Sequence, residues 1–270
     1  MQRGRLRLGG KVAIVTGAGS SGPGIGTGKA ISLLIAREGA RALLVDRVRE
    51  RAEETLTAVR EEGGDAAVCE ADVTNAAHCQ HIVKVVKERY GRLDILVNNV
   101  GILGPGSAVD VKEEDWDRVL AVNLKSMMLT SKYAIPEMIA GGGGSIINLS
   151  SIAGLRAGSG GASLPYAVSK GGVIALTTQM AVHHGRDNIR VNCIAPGHIY
   201  TPMVAGGMGE EMRDLRRRAG PLGTEGTAWD VAWATVFLAS DEARWITGVV
   251  LPVDAGLLAT TPLAMLRHLQ

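Results

Sequence analysis

Short apolar runs alternate with helical periodicity along nearly the whole chain, and this alternation constrains the fold most. Seven runs rich in β-branched and aliphatic residues begin at Val12, Ala42, Ala66, Leu93, Gly144, Ile189 and Val249. Between them, apolar residues recur at helical spacing, as at Ile31, Leu34 and Ile35, which predicts helices with one buried face. Strands this apolar are covered on both faces, as in parallel sheets. The pattern predicts an α/β fold, a Rossmann-type doubly wound sheet of seven parallel strands within three αβα layers.

No linker or low-complexity segment interrupts this alternation, so residues 1–270 are predicted to form a single domain. Residues 202–226 lack a strand pattern and contain a short charged helical stretch between glycines. An insertion of this kind after a strand commonly covers a binding site. The segment is therefore a candidate lid, and a solvated surface helix is the alternative.

Charge and cysteine content exclude several classes of function. The formal net charge of +2 gives no reason to expect a nucleic-acid partner. Cys69, Cys79 and Cys193 lie far apart without metal-ligand spacing, so neither a disulfide framework nor a metal site is predicted. The N-terminal apolar run is too short for a signal peptide, and no stretch approaches membrane-spanning length. We expect a cytoplasmic protein without a membrane partner.

A glycine-rich segment, TGAGSSGPGIGTGKAI at 16–31, separates the first predicted strand from a helix. Its ending, GTGKA, resembles an ATP-binding P-loop, but Pro23 and Ala30 stand where that motif needs a glycine and a hydroxyl. The literal G-x-G-x-x-G at 17–22 cannot open the helix, because Pro23 holds Gly22 extended. A dinucleotide turn instead requires a close approach of the backbone to a pyrophosphate at the helix N-terminus. The residues expected there are Gly17, Ser20, Gly24, Ile25 and Gly26.

The second strand pattern ends in Asp46, twenty residues after Gly26. An acidic side chain at this distance accepts hydrogen bonds from the adenosine ribose hydroxyls. A carboxylate there repels a 2′-phosphate, so NAD is the expected cofactor. Arg47 could pair with such a phosphate, which leaves NADP open. A solvated charge pair at the strand end is the alternative for both residues.

Tyr166 alone among the four tyrosines has a lysine, Lys170, four residues later. Side chains at this spacing share one face of a helix. Because a free phenol has a pKa of about 10, a nearby ammonium is needed for tyrosine to act as an acid or base near neutrality. The pair predicts a proton-transfer site, although the motif is weak by itself.

Taken in chain order, these motifs resemble those of the short-chain dehydrogenase/reductase family. The matching segments are the glycine turn at 16, NNVG at 98, VN at 122, SS at 150, YxxxK at 166 and PG at 196, and the resemblance covers residues 11–256. It implies an oxidoreductase that transfers a hydride between NAD(H) and a secondary alcohol or ketone. An NADPH-dependent carbonyl or 3-oxoacyl reductase and a non-catalytic NAD-binding scaffold are the alternatives.

The resemblance also implies roles for individual residues. Tyr166 would be the general acid or base on the substrate oxygen, and Lys170 would lower the tyrosine pKa and bind the nicotinamide ribose. Ser151 would orient the substrate oxygen, and Asn123 would hold a water that links the lysine to solvent. Ketone reduction needs a proton at oxygen besides the hydride, and Tyr166 is expected to supply it. His198 is a further candidate for the substrate site, with an ordinary loop histidine as the alternative.

Further cofactor contacts follow from the same resemblance. Asp72 and Val73 would lie beside the adenine, and Asn99 and Gly101 under the adenosine ribose. Those around the nicotinamide and pyrophosphate would be Pro196, Gly197, Ile199 and Thr201. The glycine turn, and the stretch from Ser151 to Tyr166, are both longer than is usual in the family.

Partners are expected to be a small alcohol or ketone and further copies of the chain. Residues near 152–164 and 198–215 are rich in Gly, Leu and Met, which favours an apolar substrate of modest size. The run Arg216–Arg218 could attract an acidic carrier or a CoA phosphate, but it lies among acidic residues and is interpreted as a solvated helix face. The tail at 257–270 is apolar for a terminus, which indicates burial against a neighbouring subunit, and homotetramers are common in the family.

Overall fold

The computed structural model of the protein describes residues 6–157, 164–261 and 264–269. Its strands are β1 (Val12–Thr16), β2 (Arg41–Asp46), β3 (Ala66–Glu70), β4 (Ile95–Asn98), β5 (Gly144–Leu149), β6 (Ile189–Pro196), β7 (Ile199–Tyr200), β8 (Gly226–Thr227) and β9 (Val250–Val253). Its α-helices are α1 (Thr27–Arg37), α2 (Arg49–Glu61), α3 (Ala76–Tyr90), α4 (Glu113–Leu120), α5 (Ser126–Ala140), α6 (Leu164–His184), α7 (Pro202–Ala205), α8 (Glu210–Ala219), α9 (Ala228–Ala239) and α10 (Leu266–Leu269).

Seven of these strands form one parallel sheet in the order β3-β2-β1-β4-β5-β6-β9. β1 pairs with β2 on one side and with β4 on the other, so the winding of the chain reverses beside β1. The seven strands coincide with the seven apolar runs of the sequence, and the predicted doubly wound parallel sheet is confirmed. A parallel pair of two-residue strands, β7 and β8, was not predicted and joins the two ends of the 202–226 segment.

Two apolar cores cover the two faces of the sheet. On one face α1, α2 and α9 pack against the strands, with Ile31 and Val236 fully buried. On the other face α3, α5 and the end of α6 do so, with Ile82 and Met138 buried. The three αβα layers are therefore confirmed. Because β1 lies between these layers at the middle of the sheet, all five of its residues are buried.

Local signals fix where several helices begin and end. The Asn75 side chain caps α3 by accepting from the amides of Ala77 and His78, at 2.9 and 3.2 Å. Gly91 ends the same helix in the left-handed conformation, which glycine adopts without strain. At α9, Thr227 and Asp230 form a capping box. The cap at Gly91 fixes where the chain leaves α3 for β4, and the capping box fixes where α9 begins.

The candidate lid contains two helices, α7 and α8, rather than the single helix expected. Pro202 stands at the first turn of α7, where its missing amide hydrogen costs nothing. Arg213 ties α8 to Glu225 through two hydrogen bonds of 2.6 Å. Arg218 donates to the carbonyl oxygen of His268 at 3.0 Å. The described part of the tail therefore contacts α8 of its own chain; residues 262, 263 and 270 of the tail lie outside the described ranges.

None of the described helices combines the length and the apolarity that crossing a bilayer requires. Cys69, Cys79 and Cys193 are buried and free. Across residues 6–157, 164–261 and 264–269, no three His, Cys, Asp or Glu side chains are grouped so that they could hold a metal ion.

Candidate active site

A cavity of about 760 Å³ opens at the carboxyl ends of β1 to β4, where the winding of the sheet reverses. Both the position and the volume are those of a small-molecule site in an open α/β sheet. Ten of the residues predicted to contact a cofactor line it: Gly17, Ser20, Gly26, Asp46, Arg47, Asp72, Val73, Asn99, Gly101 and Thr201.

The floor of the cavity is a turn in which strand and helix backbones touch. Gly17 has a φ of +62°, a conformation that favours glycine. A Cβ at Gly28, in the first turn of α1, would overlap the carbonyl group of Gly17. Asn99, the residue after β4, fixes this turn, because its Nδ2 donates to the carbonyl oxygens of Thr16 and Gly17 at 3.1 and 3.0 Å. Gly28 was not predicted from the sequence as part of the dinucleotide turn, although it lies within the GTGKA ending of the glycine-rich segment.

Helix α1 begins at Thr27 with Gly26 as its N-cap. The amide of Gly26 donates to Oγ of Ser20 at 2.7 Å, so a hydroxyl lies at the helix N-terminus. Gly24 and Ile25, predicted at the cofactor, are not among the residues that line the cavity. A Cβ on Gly24 would instead stand 3.7 Å from Cγ of Pro202. The enlarged part of the glycine turn thus lies against the first residue of the lid.

Asp46 lies at one end of the cavity with both carboxylate oxygens in use. Oδ2 accepts from the amide of Gly19 at 3.1 Å, and Oδ1 accepts from the amide of Val48 at 3.0 Å. A carboxylate offers about four acceptor positions, so capacity for further hydrogen bonds remains. Arg47 and Arg51 line the cavity beside it, and the positive charge of Arg47 also acts on the carboxylate of Asp72. Arg51 was missed because its spacing does not distinguish it from the other charges of α2.

Asp72 and Val73 form a side wall of the cavity. Oδ1 of Asp72 accepts from the amide and the hydroxyl of Thr74, at 2.9 and 2.7 Å. Burial acts to raise the pKa of Asp72, but these hydrogen bonds together with the charges of Arg47 and His78 outweigh burial and hold the pKa below its ordinary value. Val73 is only 5% exposed, so it also belongs to the core beneath the cavity.

Tyr166, in the first turn of α6, forms a side-chain hydrogen bond with Ser151, which follows β5. One turn later, Nζ of Lys170 lies 5.7 Å from the centre of the Tyr166 ring and donates to the carbonyl oxygen of Leu149 at 2.8 Å. Burial lowers the pKa of Lys170 to about 8. Burial also raises the pKa of Tyr166, and the hydrogen bond from Ser151 opposes that change without cancelling it. The lowered tyrosine pKa that was expected is therefore absent from this structure, because desolvation of the phenol dominates.

Asn123 is fully buried within a short π-helical segment, Ala121–Lys125, between α4 and α5. Its amide group accepts from the amide of Ile102 at 2.8 Å and donates to the carbonyl of Ile102 at 2.9 Å. It also donates to Oγ of Ser169, which in turn donates to the carbonyl oxygen of Tyr166. Irregular turns of this kind are common at functional sites. Here the turn locks the loop after β4 to the helix that carries the tyrosine.

Gly101 lies between the residues that line the cavity and the predicted catalytic residues. It lines the cavity, and a Cβ there would lie 3.3 Å from Nζ of Lys170 and 3.7 Å from Oδ1 of Asn123. The predicted catalytic residues Asn123, Ser151, Tyr166 and Lys170 therefore lie beside the Gly101 end of the cavity, remote from Asp46. This arrangement can bring a proton donor next to one end of an extended ligand.

Of the residues predicted at the cofactor at the end of β6 and after it, only one lines the cavity. Pro196, Gly197 and Ile199 are not among the residues lining the cavity; Gly197 instead packs against Asp254, where a Cβ would lie 2.6 Å from that of Asp254. Thr201, which does line the cavity, is the N-cap of α7. Nδ1 of His198 lies 3.4 Å from the carbonyl oxygen of Arg216, so the histidine faces α8, and burial lowers its pKa. Of the residues predicted near the substrate, 158–163 lie outside the described ranges.

Known proteins share both the sequence and the fold. A family model described as Enoyl-(Acyl carrier protein) reductase matches residues 22–258. The chain is 40% identical over 253 residues to the 3-oxoacyl-(acyl-carrier-protein) reductase FabG of Thermotoga maritima, across 94% of this chain and 100% of that protein.

Solved structures agree closely with this fold. One is a provisionally assigned short-chain dehydrogenase/reductase from Burkholderia xenovorans, with a TM-score of 0.90 and 42% identity over 94% of this chain and 99% of that one. Another is a 7α-hydroxysteroid dehydrogenase complexed with NADH and 7-oxo glycochenodeoxycholic acid, with a TM-score of 0.87 and 34% identity over 93% of this chain and 96% of that one.

Proposed function

The chain belongs to the short-chain dehydrogenase/reductase family, and on that premise we propose that it interconverts a secondary alcohol and a ketone with NAD(H) as its cofactor. We further propose a single catalytic domain whose site is formed by Tyr166, Lys170, Ser151 and Asn123. The observation that carries the proposal is the position of Nζ of Lys170, 5.7 Å from the centre of the Tyr166 ring and beside Gly101 of the cavity, with Ser151 interacting with the tyrosine hydroxyl.

The residues of the cavity fit a dinucleotide. Gly17 and Gly28 let the backbone come close to a pyrophosphate at the N-terminus of α1, where amide groups and the helix dipole favour an anion. Asp46 retains acceptor capacity for ribose hydroxyls at the other end. When bound, the nicotinamide would supply or accept the hydride.

Side chains of the protein would transfer the proton to the substrate oxygen. Tyr166 is protonated at neutral pH, so in ketone reduction its hydroxyl donates to the substrate oxygen. Ser151 is bonded to the same hydroxyl and can donate to the same oxygen as negative charge develops there. One of the three N–H donors of Lys170 is used by Leu149, which leaves two for ribose hydroxyls. In alcohol oxidation the base would be the phenolate of Tyr166, which the raised pKa restricts to alkaline pH.

NADPH-dependent carbonyl or 3-oxoacyl reduction is the second candidate, because the cationic side chains of Arg47 and Arg51 line the cavity near Asp46 and could bind a 2′-phosphate. The carboxylate of Asp46 favours NAD(H), since it would repel a 2′-phosphate. Steady-state kcat/KM for NADH and NADPH with one ketone decides between them. We expect NADH to be preferred by about tenfold or more, and by less in the Asp46→Asn variant. A preference for NADPH in the wild-type protein would overturn this choice.

The substrate we propose is a small secondary alcohol or ketone. The 7-oxo compound in the related hydroxysteroid dehydrogenase supports a ketone at this position. A panel of secondary alcohols and ketones, followed through NADH absorbance, tests the proposal. A non-catalytic NAD-binding scaffold would give NADH binding with no turnover of any member of the panel.

We also propose a cytoplasmic homotetramer. Apolar side chains exposed on the single chain support further copies as partners: Trp245 is 91% exposed, Val182 is 72% exposed and Trp233 is 50% exposed. β9 is the outer strand of the sheet, and its Pro252 is exposed. Three free, buried cysteines are consistent with a reducing compartment.

A further inference from the structure

Three successive residues, Leu149, Ser150 and Ser151, contact the two residues of α6 that the proposed reaction uses. The carbonyl oxygen of Leu149 accepts from Nζ of Lys170 at 2.8 Å, and Ser151 interacts with the hydroxyl of Tyr166. Between them, Oγ of Ser150 donates to the backbone carbonyl oxygen of Lys170 at 2.7 Å. The outer two contacts belong to the proposed catalytic site, and the contact of Ser150 joins the two chain segments that carry them.

Ser150 is itself held in a fixed position. It is 4% exposed, and its amide donates to the carbonyl oxygen of Ile194 in β6 at 2.8 Å. This bond extends the pairing of β5 with β6 by one residue beyond Leu149. Because only χ1 separates the hydroxyl from this paired backbone, the hydroxyl acts from a fixed point at the end of β5.

Gly154 lets the helix come close enough for this hydrogen bond. A Cβ on Gly154 would lie 2.6 and 2.8 Å from the carbonyl carbon and oxygen of Lys170. The short 3₁₀ turn Ile152–Gly154 therefore packs directly on the peptide group that accepts from Ser150. A hydrogen bond and a close backbone contact together hold the second turn of α6 against the end of β5.

A shift of α6 would displace both catalytic side chains at once. Tyr166 and Lys170 lie in the first two turns of the helix, with Nζ 5.7 Å from the centre of the tyrosine ring. A misplacement of about 1 Å can cost about a hundredfold in rate, because the reacting groups are no longer aligned. Catalytic side chains are therefore commonly supported by hydrogen bonds from residues that do not touch the substrate.

We propose that Ser150 is a positioning residue, whose hydroxyl holds Lys170 and Tyr166 in register with the end of β5. This inference rests on the proposed function, in which Lys170 binds the nicotinamide ribose and Tyr166 donates the proton. Ser150 is not among the residues that line the cavity, and it acts through the backbone of Lys170. Without its hydroxyl, Nζ of Lys170 is less well aligned with the ribose, and the phenol with Ser151.

Ser145, at the other end of β5, provides a matched control. It is 3% exposed, and its Oγ donates to the carbonyl oxygen of Leu238 in α9 at 3.0 Å. Both serines thus link β5 to a helix carbonyl through one buried hydrogen bond, but Ser145 lies at the amino end of the strand, away from the site. Ser150→Ala and Ser145→Ala should each lower the melting temperature by about 2–6 °C.

Kinetics and binding separate the two serines. Ser150→Ala should lower kcat/KM for the best ketone by about 10- to 100-fold, and Ser145→Ala should leave it within about twofold. NADH, followed by fluorescence titration, should bind Ser150→Ala about 3- to 10-fold more weakly, because it carries the ribose that Lys170 would hold. ADP, which lacks that ribose, should bind the wild-type protein and both variants within about twofold, measured by calorimetry.

The possible results distinguish this inference from the proposed function. If kinetics and NADH affinity of Ser150→Ala equal those of Ser145→Ala, the positioning role is overturned and the proposed function stands. Equal weakening of NADH and ADP would also overturn it, because the hydroxyl would then support the whole cavity rather than Lys170. If the wild-type protein turns over no ketone, a loss of affinity for NADH alone in Ser150→Ala would keep the role toward Lys170, and the proposed function would fail.

Discussion

At the scale of single residues, Lys170 combines a chemical role with an energetic cost. The residue is 4% exposed, and among the described residues the carbonyl oxygen of Leu149 is the one hydrogen-bond acceptor of its amine. The lowered pKa, about 8 instead of 10.5, means that the folded protein resists the charged form that ribose binding and proton transfer use. Stability lost in this way is a common feature of catalytic sites.

Lys170→Met should therefore stabilise the protein without cofactor, by about 2 kcal/mol at neutral pH, and abolish its activity. Below pH 8 the lysine is protonated in both states, so the full cost is present in the wild-type protein. Between pH 8 and 10.5 the folded state has lost a proton that the unfolded chain keeps, so the cost falls as pH rises. Denaturant unfolding at several pH values measures this advantage of the variant.

The advantage of Lys170→Met should shrink across that alkaline window. Lys84→Met is the control, because this lysine is 69% exposed on α3 and its removal should change stability little at any pH. A stabilisation that grows with pH, or equals that of the control, would contradict the account of Lys170.

The sequence predicted the positions of some site residues and could not predict their electrostatic environment. Tyr166 and Lys170 were found because a helical spacing of four places both on one face, and the structure has them so. The pKa of Tyr166 was not predictable, since its direction depends on burial that only the packed site creates. Arg51 was missed for a related reason, because a charged side chain at the wall of a cavity is recognised only when its neighbours are known.

At the scale of elements, the glycine turn and the lid were less predictable than the sheet. Each strand carries its own apolar signal, and the seven strands followed from it. Gly24, Ile25 and Gly26 were expected at the N-terminus of α1, and the helix begins directly after them at Thr27 with Gly26 as its N-cap; the sequence left the exact residue open because many glycines in a row fit several registers. Contact between Gly28 and Gly17 selects the register, and that contact exists only after strand and helix have packed. Helix α7 and the β7–β8 pair were missed because four- and two-residue elements carry no periodicity.

Gly28→Ala tests the turn. The added methyl would overlap the carbonyl group of Gly17, so α1 must shift away from β1. We expect a loss of about 1–3 kcal/mol of unfolding free energy and about tenfold weaker NADH binding, measured by denaturation and fluorescence titration. Gly185→Ala is the control, because a Cβ there has no atom within 4 Å. Equal effects of the two substitutions would rule out the tight contact.

At the scale of the whole molecule, exposed apolar surface remains on the side of the sheet that ends in β9. Trp245 is 91% exposed, and Trp233 of α9 is half exposed. Large exposed apolar side chains often mark protein–protein contacts, and aromatic side chains are enriched at such interfaces. The described part of the tail contacts α8 of its own chain, and the exposed tryptophans give a separate indication of a partner copy.

Trp245→Glu should therefore weaken assembly. We expect sedimentation velocity to find tetramers of the wild-type protein and smaller species of the variant at equal concentration, because a buried unpaired charge opposes association. Val109→Glu places the same charge at a side chain that is 97% exposed in a loop, and it should leave the tetramer intact. A monomeric wild-type protein, or equal assembly of both variants, would contradict the proposed interface.

The central claim is that Tyr166 moves the proton while the cavity beside it binds the cofactor. Tyr166→Phe removes only the hydroxyl, so we predict that kcat/KM for the best ketone falls by about 10²–10⁴-fold while the dissociation constant of NADH stays within about twofold. Tyr133→Phe, on α5 and away from the cavity lining, should leave both quantities unchanged. Undiminished turnover by a Tyr166→Phe protein that binds NADH normally would contradict the account.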